Sequence, residues 1–127
     1  HWNALLSAYG ESPFFEYYQD DIRPFYEKKW KFLFDFNMEI AHTLCELLDI
    51  QPDIRPTEEF LPMDKAGETA LPYADFREAI RPKRPLVDAD FVPKPYYQVY
   101  EQKIGFQPNL SILDLFFNMG NESIFYL

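Results

Sequence analysis

Proline is distributed unevenly along this chain, and that distribution limits where helices can form. Eight of the 11 prolines lie between Gln51 and Pro95, at positions 52, 56, 62, 72, 82, 85, 93 and 95. Each proline removes a backbone N–H donor and disfavours helical geometry in the residue before it. The stretch still carries too many large apolar side chains for a solvated linker. We therefore predict an irregular Pro-rich arm, with short turns or an edge strand, that wraps a helical body.

The length and ring content of the chain predict one compact domain. A chain of 127 residues can bury one core, and aromatic residues make up 19% of it. So much ring surface excludes a disordered chain. The predicted fold is mainly α, a compact aromatic-rich helical domain over residues 1–127 with the Pro-rich arm and one or two short strands.

Four helices are predicted in the first half of the chain. The first ends at Gly10 and has no N-cap residue before Trp2, which indicates that upstream sequence is missing. Ser12 is the expected N-cap of the second helix, with Pro13 at its first position. Asp21 is expected to cap the third helix and Asp35 the fourth, which is the longest. The type of the segment Trp30 to Phe34 stays open.

The last third of the chain contains one ambiguous element and two helices. Tyr96 to Lys103 alternates as a strand does, although a helix ended by Gly105 is equally allowed. A following helix is expected to be capped by Asn109 and closed by Gly120. A further helix is predicted to begin at Asn121.

Charge and motif content exclude several classes of function. The formal net charge of −9 would repel a nucleic acid backbone. The basic run Arg81 to Pro85 is either a solvated loop or a contact for an anionic ligand. The chain has no glycine-rich phosphate loop, and His42 and Cys45 are too few for a zinc site, so we predict no metal and no cofactor. No apolar run is long enough for membrane insertion, and we predict a cytoplasmic protein.

The run NLSILDLFFNMG holds the most notable polar residues. Ser111 and Asp114 lie one helical turn apart, which suits a local hydrogen bond. Nucleophilic catalysis by Ser111 would also need an activating base and oxyanion donors. Asp114 is flanked by leucines, so its carboxylate must be exposed, functional or paired, for example with Arg77 or Arg81 of the arm.

Two long segments resemble the WbqC-like protein family. They are HWNALLSAYGESPFFEYYQDDIRPFYEKKWKFLFDFN and PYYQVYEQKIGFQPNLSILDLFFNMG, and LCELLDI and DFREAIRPK continue the resemblance in order. Members of the family are usually longer and begin with aromatic and β-rich elements that are absent here. The resemblance therefore implies that this chain is the C-terminal portion of a longer protein.

The resemblance also implies a function in bacterial surface polysaccharide biosynthesis, including O-antigen. It implies transfer of an amino-acid (glycine-type) or acyl group to a sugar, with an activated sugar or acyl donor as partner. His1 or Asp114 would serve as the base, and Asn109 or Asn118 as oxyanion donors. The other polar positions that match the family motifs are expected to bind substrate: Asn3, Gln98 and Ser111. The alternative is a non-catalytic module that binds sugar or protein through its aromatic faces, and a homo-oligomer stays open.

Overall fold

The computed structural model describes residues 1–62, 75–77 and 90–127. The chain divides into two compact units. The first combines His1–Pro52 with Pro93–Leu127, and the second is Asp53–Val92. All of the helices described below belong to the first unit.

The first unit is mainly helical. Its α-helices are α1 (Trp2–Tyr9), α2 (Phe15–Glu27), α3 (Leu33–Leu47), α4 (Glu101–Ile104) and α5 (Ile112–Met119), and a 3₁₀ helix (Gly120–Tyr126) follows α5 directly. Helix α2 packs against α1, α3 and α5. Three helices precede the proline-rich stretch and three follow it, which agrees with the placement of prolines in the sequence.

The short strands predicted from alternation do not occur in residues 1–62, 75–77 or 90–127. Tyr96–Tyr100 is irregular and leads into the single turn of α4. Side chains satisfy its backbone donors: Gln98 N–H donates to Glu101 Oε2 (3.2 Å) and Val99 N–H to Asn118 Oδ1 (3.0 Å). These N–H groups are therefore taken by helix side chains, and a strand ladder cannot use them.

The N-terminus of α2 differs from the prediction. Ser12 does not cap a helix, because Ser12 to Phe14 form a turn and the helix begins at Phe15. Phe14 N–H donates to the carbonyl oxygen of Phe117 in α5 (3.0 Å), so a tertiary contact fixes the turn. The separate helix expected after Asp21 is part of the same continuous helix.

The N-cap of α5 lies two residues later than predicted. Ser111 is the N-cap, and its hydroxyl accepts a hydrogen bond from Leu113 N–H (3.2 Å). Asn109 instead has a φ of 56°, the left-handed conformation that asparagine tolerates better than most residues. The predicted stop at Gly120 is confirmed, with a φ of 57°.

The core of the first unit lies between α2, α3 and α5. Aromatic rings dominate it: Phe15 and Phe117 meet edge-on with centroids 4.9 Å apart, and Tyr18 and Phe116 lie 4.1 Å apart. Every residue of α5 from Leu113 to Met119 is buried. The buried core cluster is Phe15, Tyr18, Ile22, Leu44, Leu48, Leu113, Phe116 and Phe117.

The described residues of the second unit are irregular. Arg77 forms an ion pair with Asp75 and donates to the carbonyl oxygen of Leu61 (2.7 Å). Hydrogen bonds from Arg77 lower the pKa of Asp75 to about 2. The predicted Pro-rich arm falls largely on residues 63–74 and 78–89, and the basic run Arg81 to Pro85 falls within the second range. Both ranges lie outside the described residues.

Candidate functional site

A buried carboxylate lies in the first turn of α5. Asp114 is 6% exposed, although it lies among large apolar side chains. Its Oδ2 accepts hydrogen bonds from the Tyr96 hydroxyl (2.6 Å) and from Gln98 Nε2 (2.8 Å). Both donors are uncharged. Asp114 is therefore stabilised by hydrogen bonds from neutral groups. Of the two arginines suggested from the sequence, Arg77 pairs with Asp75, and Arg81 lies outside the described residues.

Two tyrosines next to this carboxylate are held in their protonated form. Burial, followed by the charge of Asp114 and a hydrogen bond to it, raises the pKa of Tyr9 to about 12. Burial likewise raises the pKa of Tyr96, with the hydrogen bond to Asp114 as the next cause. Neutral phenols remain donors throughout the physiological range, so they hold the carboxylate in one orientation.

Gln98 connects the carboxylate to the loop before α5. Its side chain is 6% exposed. Its Nε2 also donates to the carbonyl oxygen of Gln107 (2.9 Å), and its Oε1 accepts from Gln107 N–H (2.8 Å). This pair of hydrogen bonds joins the segment before α4 to the segment after it. Gln98 is thereby fixed at both ends of its amide.

Asn118 lies one helical turn after Asp114 and is 2% exposed. Its Nδ2 donates to the carbonyl oxygen of Asp114 (2.8 Å), and its Oδ1 accepts from Val99 N–H (3.0 Å). The side chain therefore fastens the segment that carries Tyr96 and Gln98 to α5. We find Asn118 engaged at both its donor and its acceptor.

A pocket of about 60 Å³ opens beside the Asp114 carboxylate. Several water molecules, or the polar edge of a small ligand, would fill this volume. Carboxylates from Asp114 and Glu101 give the pocket a negative character, which favours a cationic or hydrogen-donating ligand. The lining residues are Ala8, Tyr9, Gln98, Val99, Tyr100, Glu101, Ile104, Gln107, Leu110 and Asp114.

The structure brings together three of the residues singled out in the sequence. Gln98, Asp114 and Asn118 form one hydrogen-bonded group. His1 and Asn3 are exposed at the start of α1 and do not line the pocket, which α1 reaches only through Ala8 and Tyr9.

The loop before α5 contributes less than its sequence suggested. Asn109 is exposed in the turn before α5, and the Ser111 hydroxyl accepts the capping bond of that helix. Neither residue lines the pocket.

Sequence reasoning missed the two tyrosines that border Asp114. Tyr96 and Gln98 are two residues apart, and positions i and i+2 of an extended segment face the same side. The alternation of polar and ring side chains in this segment was therefore a usable signal for Tyr96. No local sequence pattern connects Tyr9 to this site, because Tyr9 is more than 100 positions away from Asp114.

Neither a metal-binding cluster nor a membrane-spanning helix occurs in the described part of the chain. No group of three or more His, Cys, Asp or Glu side chains is placed to hold a metal ion. None of the helices in residues 1–62, 75–77 and 90–127 combines the length and apolar character needed to cross a bilayer.

These features define an aromatic-rich helical protein. Its buried Asp114 carboxylate accepts hydrogen bonds from uncharged donors and lies beside a small pocket. The sequence matches the WbqC-like protein family over residues 1–80, which is well over half of the chain. The chain belongs to the WbqC-like protein family. Searches of curated proteins and of solved structures returned no significant match.

Proposed function

We propose that this protein acts in bacterial surface polysaccharide biosynthesis, including O-antigen, by transferring an amino-acid or acyl group to an amino sugar. The observation that carries the proposal is the buried Asp114 carboxylate, which accepts hydrogen bonds, at the wall of a small and otherwise largely apolar pocket. A sugar amine and its neighbouring hydroxyls are hydrogen-bond donors, so they complement such a wall. Membership of the WbqC-like protein family supports the same class of function.

The transfer assigns a chemical step to Asp114. The sugar nitrogen forms a bond to the carbonyl carbon of an activated acyl donor, while the bond from that carbon to the leaving group breaks. The nitrogen loses a proton in this step, and the Asp114 carboxylate accepts it as general base. Tyr96 and Gln98 keep the carboxylate oriented toward the pocket.

The remaining candidates take different parts in this proposal. Asn118 positions the segment of Tyr96 and Gln98, because its amide is engaged by the Asp114 carbonyl and by Val99 N–H. His1 is exposed at the start of α1, so we assign the base to Asp114 and not to His1. Asn109 and Asn3 are exposed and do not line the pocket, so we assign them no part in the chemical step.

A non-catalytic sugar-binding or assembly module is the second candidate. The observation in its favour is that His1 does not line the pocket, so the pocket's two carboxylates, Asp114 and Glu101, have no imidazole beside them. Exposed rings such as Tyr17, which is 75% exposed, could stack on sugar faces.

The test is mass spectrometry of surface glycans from a strain that lacks the gene, complemented with variants of the whole protein. We expect the deletion to remove one amino-acid or acyl substituent, and Asp114→Asn to fail to restore it. Asp20→Asn changes an exposed carboxylate on α2 and should restore it fully, as should His1→Ala. Circular dichroism checks that each variant is folded.

Two other outcomes decide against transfer by Asp114. Restoration of the substituent by folded Asp114→Asn protein would remove the carboxylate from the reaction. A deletion strain whose glycans are shorter but carry every substituent would instead identify the binding or assembly module.

A further inference from the structure

The end of the connection between α2 and α3 and the first turn of α3 expose consecutive large apolar side chains. Phe32, Leu33 and Phe34 are 56%, 72% and 57% exposed. A stable soluble surface rarely presents such a run unless the run has a function. These three residues and the four before them form the run KKWKFLF at positions 28–34, which is called the 28–34 patch below.

Three lysines accompany these apolar residues. Lys28, Lys29 and Lys31 are exposed, and positions 28–34 contain no acidic residue. The patch therefore carries three positive charges on a chain whose net charge is −9. Lys28 pairs with Glu39 across 3.8 Å, but both side chains are more than half exposed, and pairs of this kind are weak.

Trp30 fixes the patch to the body of the first unit. Its Nε1 donates to the carbonyl oxygen of Phe25 (2.8 Å), and its ring stacks on the Phe25 ring with centroids 5.9 Å apart. The ring of Phe36 meets Trp30 edge-on at 5.5 Å. The backbone around Trp30 is thus anchored, and the side chains that follow it remain outside the core.

We propose that the 28–34 patch docks on the surface of an anionic lipid bilayer. Phe32, Leu33 and Phe34 enter the interface between headgroups and acyl chains, which accommodates aromatic and aliphatic side chains. Lys28, Lys29 and Lys31 contact the headgroup phosphates, which complement their charge. This attachment lies beyond the proposed function and uses none of the pocket residues.

Charge favours a bilayer over two other occupants. A symmetric contact with a second copy would place the lysines of one patch near those of the other, which is repulsive. A nucleic acid would meet the acidic remainder of the chain along its length. A flat bilayer contacts only the face that carries the patch, and salt screens carboxylates that lie farther away than roughly 8 Å.

The test is flotation of the whole protein with lipid vesicles. We expect binding to vesicles of phosphatidylglycerol and phosphatidylethanolamine, little binding to phosphatidylcholine vesicles, and weaker binding as salt rises. Leu33→Ser with Phe34→Ser should abolish binding, and Lys29→Glu with Lys31→Glu, which changes the charge by four units, should lower it on the order of a thousandfold. All four positions are exposed, so the variants should fold.

Matched controls change the same chemistry elsewhere. Phe125→Ser removes a ring that is 73% exposed outside the patch, and Lys94→Glu with Lys103→Glu reverses two other exposed lysines. Both controls should bind anionic vesicles as the unmodified protein does.

Three results would overturn the proposal. They are absence of binding to anionic vesicles, equal binding by patch and control variants, and a dimer in native mass spectrometry that only the patch variants dissociate. Loss of vesicle binding with an unchanged glycan substituent would leave the proposed transfer intact, so the two proposals fail separately.

Discussion

At the residue scale, burial of the Asp114 carboxylate carries a desolvation cost that its hydrogen bonds must offset. A buried carboxylate needs hydrogen bonds or a counter-charge, and here Tyr96 and Gln98 supply two hydrogen bonds to one oxygen. Truncation to alanine would remove the acceptor of the Tyr96 hydroxyl and of one N–H of Gln98 Nε2, and each hydrogen-bonding group left unsatisfied in a buried site costs about 1–3 kcal/mol. Asn keeps an acceptor in place, which is why Asp114→Asn is the informative substitution for function.

The tyrosines beside Asp114 predict a pH dependence of stability. The pKa of Tyr9 is raised to about 12 in the folded protein, above its ordinary value of 10.0. Between these two values the unfolded chain has lost a proton that the folded chain keeps. The protonated Tyr9 hydroxyl therefore contributes fully to the free energy of unfolding below pH 10, and this contribution is lost as pH rises toward 12.

Urea unfolding followed by circular dichroism at several alkaline pH values measures this effect. Tyr9→Phe should flatten the decline in the free energy of unfolding. Tyr17→Phe changes a ring that is 75% exposed and should leave the decline unchanged. An equally steep decline in Tyr9→Phe protein would show that Tyr9 is not the group responsible.

At the element scale, the helix ends depend on individual residues in ways that substitutions can separate. Ser111→Ala removes the hydroxyl that accepts from Leu113 N–H, and we expect a loss of about 1 kcal/mol in the free energy of unfolding. Asn109→Gly should cost nothing, because glycine adopts a positive φ readily. Chemical denaturation of both variants would contradict this assignment if Asn109→Gly were the more damaging.

The two glycines with positive φ provide a second comparison. A Cβ at Gly120 would lie 2.7 Å from an atom of the Phe14 ring, whereas a Cβ at Gly105 would meet nothing within 4 Å. Both alanine variants incur backbone strain of roughly 1–2 kcal/mol. Gly120→Ala must also displace the Phe14 ring, so thermal unfolding should show the larger loss there. Equal losses would mean that the ring moves freely.

Helix existence was predictable from the sequence, and helix boundaries were less so. The apolar spacing of α3 and the stop at Gly120 are local signals, and both predicted the observed elements. The start of α2 was wrong because Phe14 N–H bonds to Phe117, which is distant in sequence. Of the two structures left open for Tyr96 to Lys103, the strand does not form because side chains of α4 and α5 take its backbone donors, and a helix forms only from Glu101 to Ile104, ended by Gly105.

At the scale of the whole molecule, acidic residues outnumber basic ones, which gives the chain a large negative net charge. The chain has 21 acidic and 12 basic residues, so self-repulsion opposes the compact state at neutral pH. We expect the melting temperature to rise by a few degrees as sodium chloride increases from about 0.05 M to about 0.5 M. Differential scanning fluorimetry measures it, with potassium chloride as the control salt. A falling melting temperature would show that attractive ion pairs dominate.

The candidate site was partly predictable at this scale. Asp114 was identified because a carboxylate flanked by leucines must be exposed, paired or functional. Gln98 and Asn118 were identified because they match motifs of the family. The contribution of Tyr9 could not be predicted, because only the packing of α1 beside α5 brings it to the carboxylate. Family membership was predicted from collinear motifs, and the match over residues 1–80 confirms it.

The most direct test of the proposed site is a two-dimensional NMR titration of the whole protein with glucosamine, an amino sugar with a free amine. We predict shifts confined to amides around the pocket, including Gln98, Tyr100 and Gln107, that disappear in Asp114→Asn protein and persist in Asp20→Asn protein. Shifts that are the same in Asp114→Asn protein, or that map to other surfaces, would contradict the role of Asp114 in binding the acceptor amine.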